Sequence, residues 1–301
     1  MEEITVEGRK IKISHPGKML WPEAEITKLD YIRYLLTVAP HMIPYTRDRM
    51  LMIWLYPHGV QGKKIEKRSV PQSAPDWLPK TEYKEKKRML LNNQAALLWA
   101  ANYGGMEFHV PFDRYTKENF PTELAFDLDP PDGQHFERVS KVALKLREIL
   151  ESLGLHSVAK TSGKTGLQVH VPIVAKYTFQ STRAINRFIA EYMLEKMPEQ
   201  VTLERRVKKR EDKLYFDYLQ LWAGRTMPAP YSVRATAQAT VSTPVTWKEI
   251  ESGIHPSDFT ILSVPSRLKK MGDLFRTVSA RNDKQNIDHI LSFINKKIPS
   301  S

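Results

Sequence analysis

Apolar and polar residues alternate along Ile4-Thr5-Val6-Glu7-Gly8-Arg9-Lys10-Ile11-Lys12-Ile13, with Gly8 at the centre. A period of two about a glycine predicts a β-hairpin, because successive strand side chains point to opposite faces. The period then changes. Thr27 and Asp30 have the spacing of a reciprocal helix cap, and Leu29, Ile32, Leu35, Leu36 and Ala39 form a helical stripe that Pro40 is expected to stop. Residues 50–56 read as a strand and 92–101 as a short helix. Between them, residues 57–89 are polar, with four prolines and many cations, among them Lys63, Lys64, Lys67, Arg68, Lys84 and Arg88. That is long for an idle loop.

The middle of the chain carries a strand at Glu123–Asp129, ended by Pro130-Pro131. A helix follows with Phe136, Val139, Ala143, Leu146, Ile149, Leu150 and Leu153 on one face. After the turn Ser162-Gly163-Lys164-Thr165-Gly166 come a strand at 167–173 and a second helix bearing Ile185, Phe188, Ile189, Tyr192 and Met193. Residues 214–218 form a further strand behind a basic run, and Thr246 and Glu249 make a second capping box around Trp247. Alternation of strands and helices places the chain in the mixed α/β or α+β class. With no repeat and no Pro- or Ser-rich linker, residues 1–301 are expected to form one unit.

Composition narrows the classes. Hydrophobic residues at 41% provide apolar mass for a large core. The longest apolar helical patch, 95–101, is too short to span a bilayer, and Met1-Glu2-Glu3-Ile4 lacks the basic-then-apolar layout of a signal peptide. The absence of cysteine excludes disulfides, thiolate nucleophiles and cysteine-held metals. A cytoplasmic location is therefore expected. Lys plus Arg outnumber Asp plus Glu by 46 to 34, a net +12. That surplus suits a polyanionic partner, since neutralising phosphates releases counterions; a basic surface without a partner is the other reading.

Asp127 and Asp129 share a face of their strand and could grip a hard divalent cation, or could simply bond the Pro-Pro turn. Asp217 lies within a strand between Phe216 and Tyr218, where a buried carboxylate needs a cation and an outward-facing one does not. Three such carboxylates at one point would make a two-metal phosphoryl-transfer site. Thr161-Ser162-Gly163-Lys164-Thr165-Gly166 resembles a phosphate loop but leads into a strand and has Val158 where the first glycine would stand. Its glycines let backbone amides approach phosphate, with Ser162 and Lys164 as further donors; a polar hairpin turn is the alternative. His109 and His170 lie on strands within reach of a sugar or phosphate, or are ordinary polar residues. Arg210 and Arg234 could neutralise a triphosphate or line a solvated face. Lys28 falls in the first turn of the helix capped by Thr27, where anions are favoured.

Together these segments resemble the polymerase domain of bacterial DNA ligase D, in the archaeo-eukaryotic primase superfamily. The resemblance runs through His15-Pro16-Gly17-Lys18-Met19-Leu20-Trp21-Pro22, Ile26-Thr27-Lys28, Phe126-Asp127-Leu128-Asp129-Pro130, Thr161-Ser162-Gly163, Phe216-Asp217-Tyr218-Leu219-Gln220, Ala229-Pro230-Tyr231-Ser232-Val233-Arg234 and Val241-Ser242-Thr243-Pro244. It implies an α+β primase-polymerase fold with a central catalytic sheet, a second sheet and flanking helices. It also implies two divalent ions, Mn²⁺ or Mg²⁺, on Asp127, Asp129 and Asp217 as the catalytic set. Ser162, Gly163, Lys164, Arg210 and Arg234 would hold the triphosphate, and His109 and Gln220 would lie near the nucleotide sugar. Lys18 and Lys28 would grip the 5′-phosphate of a downstream DNA strand. The implied function is filling short gaps at DNA ends in non-homologous end joining, with a preference for ribonucleotides, alongside Ku and an ATP-dependent ligase and near the nucleoid.

The chain departs from the family pattern at four points. Gln168 follows Gly166-Leu167 where the family has histidine, and His170 is the expected substitute. Thr165 replaces a loop lysine, with Lys164 one residue earlier. Ile65 stands nearest to a missing pair of template-stacking phenylalanines, and Leu55 replaces an arginine. These departures motivate a second reading, a catalytically weakened module that binds 5′-phosphorylated ends for a ligase partner. A two-metal nuclease on the same carboxylates is a third. The sequence shows no ligase lysine motif, so ligation would come from elsewhere.

Overall fold

A computed structural model describes residues 2–131, 136–280, 282 and 284–297. The hairpin at the start forms from Glu2–Val6 and Arg9–Ile13, turning through Glu7 and Gly8 at positive φ. The helix Lys28–Thr46 has the expected box: Thr27 Oγ1 accepts from Asp30 N at 3.2 Å and Asp30 Oδ2 accepts from Thr27 N at 3.1 Å. It does not stop at Pro40. It runs on through Pro40 and Pro44, because Met42, Ile43, Tyr45 and Thr46 are buried and their packing outweighs the missing amide hydrogen bonds. The strand expected at 50–56 is shorter, Met52–Leu55. The polar stretch after it contains an edge strand, Ile65–Lys67, and a hairpin, Lys80–Tyr83 with Lys86–Met89.

Two sheets organise the molecule. The larger has six strands in the order Val201–Thr202, Leu214–Asp217, Glu123–Asp129, Leu167–Pro172, Val158–Thr161, Pro244–Val245. Its pairs are antiparallel except the first, which is parallel. The smaller has four, in the order Thr226–Pro228, Gly105–Pro111, Met52–Leu55, Ile65–Lys67. Helices Phe136–Ser152 and Phe179–Lys196 pack on the central strand Glu123–Asp129. Lys28–Thr46 and Gln94–Asn102 pack together, and Tyr31 ties the first of them to the second sheet through the carbonyls of Gly105 and Met106. This is the expected mixed α/β arrangement of catalytic sheet, second sheet and outer helices.

The central strand shows how the site is left open. Leu124, Phe126 and Leu128 are fully buried, with Phe126 against Phe216. On the other face Glu123 and Ala125 are buried, Asp127 is half-buried and Asp129 is exposed. That face is closed at one end by the buried pair Glu123–Arg49 and by Phe275, and opens at the carboxylate end. Among the described residues no helix is long and apolar enough to cross a membrane.

Candidate active site

Asp127 lies directly across from Asp217 on one neighbouring strand and from Gln168 on the other. Direct antiparallel partners point to the same face with Cα atoms about 4.5–5.5 Å apart. Asp129 lies two residues on, on that same face. The three carboxylates are thus brought together. Burial, then repulsion from Asp129 and Asp217, pushes the Asp127 carboxyl well above the usual carboxylate range. Asp129 is also raised, by desolvation and by Asp217, while Arg210 and Arg234 pull it back. Asp217 Oδ1 accepts from Tyr215 Oη at 3.0 Å and from Leu219 N at 2.9 Å. The Arg210 guanidinium sits 3.9 Å over the Tyr215 ring and donates to the Glu204 and Arg205 carbonyls.

The glycine turn links Val158–Thr161 to Leu167–Pro172 as a hairpin. Ser162 Oγ closes it, accepting from Lys164 N at 3.2 Å and Gly166 N at 3.0 Å. Both glycines are required by space. A Cβ on Gly163, at φ +72°, would lie 2.6 Å from Arg234 Cγ, and one on Gly166 would lie 2.3 Å from the Leu128 carbonyl oxygen. The turn therefore rests against the end of the central strand.

Arg234 joins the turn to the second sheet. Nη1 donates to the Ser162 carbonyl and Nε to Glu107 Oε2 at 2.9 Å. Glu107 is fully buried, which alone would raise its pKa, but hydrogen bonding from His109 and the charge of Arg234 hold it at about 2. It is therefore an ionised acceptor, so His109 Nε2 donates to it at 3.0 Å. Burial lowers His109 to about 4, so its ring is neutral near pH 7. Trp54 stacks on His109 with centroids 4.6 Å apart, and Lys64 Nζ lies 3.8 Å from the Trp54 ring centroid. Lys164 Nζ is 5.7 Å from the same centroid. Gln220 Nε2 donates to the Thr226 carbonyl at the edge of the second sheet.

Three sequence-selected residues lie away from this cluster. His170 is fully buried further along its strand, edge-on to Phe275, with no hydrogen-bond partner on either ring nitrogen among the described residues. Gln168 is the residue that faces the carboxylates, its Nε2 donating to Asp127 Oδ1 at 3.2 Å. Lys18 and Lys28 line a separate cavity of about 170 Å³ with Ser14, His15 and Asn102. Lys28 Nζ donates to Ser14 Oγ at 3.0 Å and to the Asn102 carbonyl at 2.9 Å, and Lys18 Nζ donates to the Pro57 carbonyl at 2.5 Å. Sequence reasoning missed Glu107, Trp54 and Lys160. Glu107 and Lys160 each interrupt an apolar strand with a charge, the signal that would have marked them.

Among the described residues no three carboxylate or imidazole groups are closed up as a finished metal shell. The donor set nonetheless fits a hard divalent ion. It offers carboxylate oxygens on one face, and their mutual repulsion is relieved by a cation between them.

The sequence model of the family described as LigD, primase-polymerase domain, matches residues 27–275. The bifunctional non-homologous end joining protein LigD of Bacillus subtilis is 33% identical over 289 residues, covering 96% of this chain and 47% of that protein. The multifunctional LigD of Mycolicibacterium smegmatis is 29% identical, covering 90% of this chain and 36% of its own length. The chain thus spans less than half the length of these relatives. The polymerase domain of Mycobacterium tuberculosis ligase D, solved in complex with DNA, superposes with a TM-score of 0.85 at 26% identity, covering 91% of this chain and 99% of that one. Polymerase domains of this kind depend on divalent metal ions. The chain belongs to the LigD primase-polymerase domain family and is a nucleotidyltransferase of that kind.

Proposed function

We propose that this chain, as a single domain over residues 1–301, extends DNA ends across short gaps during non-homologous end joining. In this reading it prefers ribonucleotides and works near the nucleoid beside Ku and an ATP-dependent ligase. The observation that carries the reading is the cross-strand pair Asp127–Asp217, with Asp129 on the same face and a glycine turn beside it. Asp127, Asp129 and Asp217 would hold two ions, Mn²⁺ or Mg²⁺. Bound there, such ions would supply a lowered pKa for a primer 3′-hydroxyl and positive charge for the leaving pyrophosphate.

The chain's own groups do the rest. Arg210 and Arg234 balance triphosphate charge, and Ser162, Gly163 and Lys164 present donors from a turn whose shape the Ser162 hydroxyl fixes. His109 has Nε2 committed to Glu107, which leaves Nδ1 as an acceptor for a sugar hydroxyl, with Gln220 nearby. His170 has no route to the nucleotide from its buried position, and Gln168 takes its place beside Asp127. Lys18 and Lys28 receive the 5′-phosphate of the downstream strand, which orients the gap.

The test is a gapped duplex with a 5′-phosphate, supplied with Mn²⁺ and NTPs or dNTPs. Extension that Asp127→Ala abolishes while DNA binding persists is the expected result. Binding without extension would favour the weakened end-binding module, and shortening of the strand would favour a nuclease.

A further inference from the structure

Lys160 is a lysine at 0% exposure in the middle of the catalytic sheet, and burial lowers its pKa to about 7 while the nearby Asp127 supports its charge. Among the described residues no carboxylate pairs with it directly. Its Nζ donates to Ser242 Oγ at 2.7 Å and to Gln168 Oε1. Ser242 Oγ in turn donates to the Thr161 carbonyl at 2.9 Å, so its lone pairs are turned to the lysine. Gln168 is 3% exposed and donates from Nε2 to Asp127 Oδ1 at 3.2 Å. These residues form one row across the sheet: Lys160 is the strand partner of Gln168, Gln168 of Asp127, and Asp127 of Asp217.

The chemistry of the row has a direction. In its charged form the lysine only donates, so it faces the amide oxygen, and the amide nitrogen is then turned toward Asp127, as the hydrogen bonds of the row run. With an ion bound and Asp127 ionised, the flipped amide would set two donors against each other and an oxygen against a carboxylate. We infer that Lys160 is a positioning residue for the cation site: acting through Gln168, it fixes Asp127 Oδ1 and leaves the other carboxylate oxygen for the ion. This rests on the polymerase reading above and adds to it a residue that touches neither substrate nor metal. Groups that orient a metal ligand change metal affinity by about 10–100-fold when removed.

Manganese titration calorimetry on the full chain tests the inference. The parent would be compared with Lys160→Met, Gln168→Leu, the double variant and Gln168→His, with melting curves to confirm folding. Lys160→Met and Gln168→Leu are each expected to weaken Mn²⁺ binding by about 10–100-fold. The double variant is expected to be no weaker than Gln168→Leu alone, because the lysine acts through the amide. Gln168→His keeps one acceptor and one donor at that point and should retain binding. In extension assays Lys160→Met should lower kcat and leave KM for the nucleotide unchanged. Coulomb's law alone gives the opposite sign, since removing a cation beside a metal site should tighten it. Unchanged or tighter Mn²⁺ binding by Lys160→Met, or losses that multiply in the double variant, overturns the inference and leaves the polymerase reading intact. A parent that binds no Mn²⁺ overturns both. If Lys160→Met does not fold, Gln168→Leu and Gln168→His decide: loss in the first with retention in the second supports the row, and parent-like binding by both overturns it.

Discussion

Lys28 makes a pH-dependent prediction about recognition of the 5′-phosphate. Its side chain is 7% exposed, and burial, helped by the charge of Lys18, lowers its pKa to about 8. Two of its three N–H donors are used, on Ser14 and Asn102, and the third is left for a ligand in the cavity beside it. A phosphate monoester is a dianion throughout pH 7–9, since its second pKa is about 6. A bound dianion favours the charged lysine, so binding takes up a proton wherever Lys28 starts neutral. With a free-state pKa of about 8, the protonated fraction falls from about nine tenths at pH 7 to about one tenth at pH 9. Phosphate-dependent affinity is therefore nearly full at pH 7, about halved at pH 8, and lower by up to about tenfold at pH 9, less where solvent screens the site. Fluorescence anisotropy with gapped duplexes, phosphorylated and unphosphorylated, gives the ratio that isolates this contact. Lys28→Arg should flatten the profile, because guanidinium does not titrate there. Lys28→Ala should cut the ratio by about 10–100-fold, the weight of one charged hydrogen bond. A ratio that stays constant from pH 7 to 9 in the parent, or survives Lys28→Ala, would refute the reasoning.

Other expectations are simpler. Asp217→Asn removes repulsion from the carboxylate cluster and should raise the melting temperature of the metal-free protein by about 2–4 °C, while abolishing the further rise that Mn²⁺ gives the parent. Gly166→Ala drives a Cβ to 2.3 Å from the Leu128 carbonyl oxygen. It should cost about 1–3 kcal/mol in urea unfolding and raise KM for the nucleotide as the turn lifts from the strand. Glu123→Ala leaves the fully buried Arg49 without its carboxylate, and Tyr45 without the acceptor that its hydroxyl reaches at 2.7 Å. The expected loss is about 3–5 kcal/mol by denaturant titration, with the active-site carboxylates untouched.

Much of this was legible in the sequence where local chemistry decides structure. The capping boxes at Thr27 and Thr246 and the strand Glu123–Asp129 formed as their patterns required. Pro40 misled because helix continuation was decided by burial of Met42, Ile43 and Tyr45, which no local rule contains. His170 misled for a related reason. Strand period put it on the same face as Gln168, and that is correct, but exposure along that face runs from buried to open toward Asp129, so the two positions differ in what they can reach. Glu107 and Lys160 could be noticed only as charges in apolar strands. Their partners, Arg234 and Ser242, lie 127 and 82 residues away, and only the folded sheets bring them together.

Crystals soaked in Mn²⁺ and measured at the manganese edge address the cation site itself. An anomalous peak at the Asp127, Asp129 and Asp217 carboxylates, lost in Asp217→Asn, is the result expected. Manganese bound elsewhere, or a peak indifferent to Asp217, would contradict it.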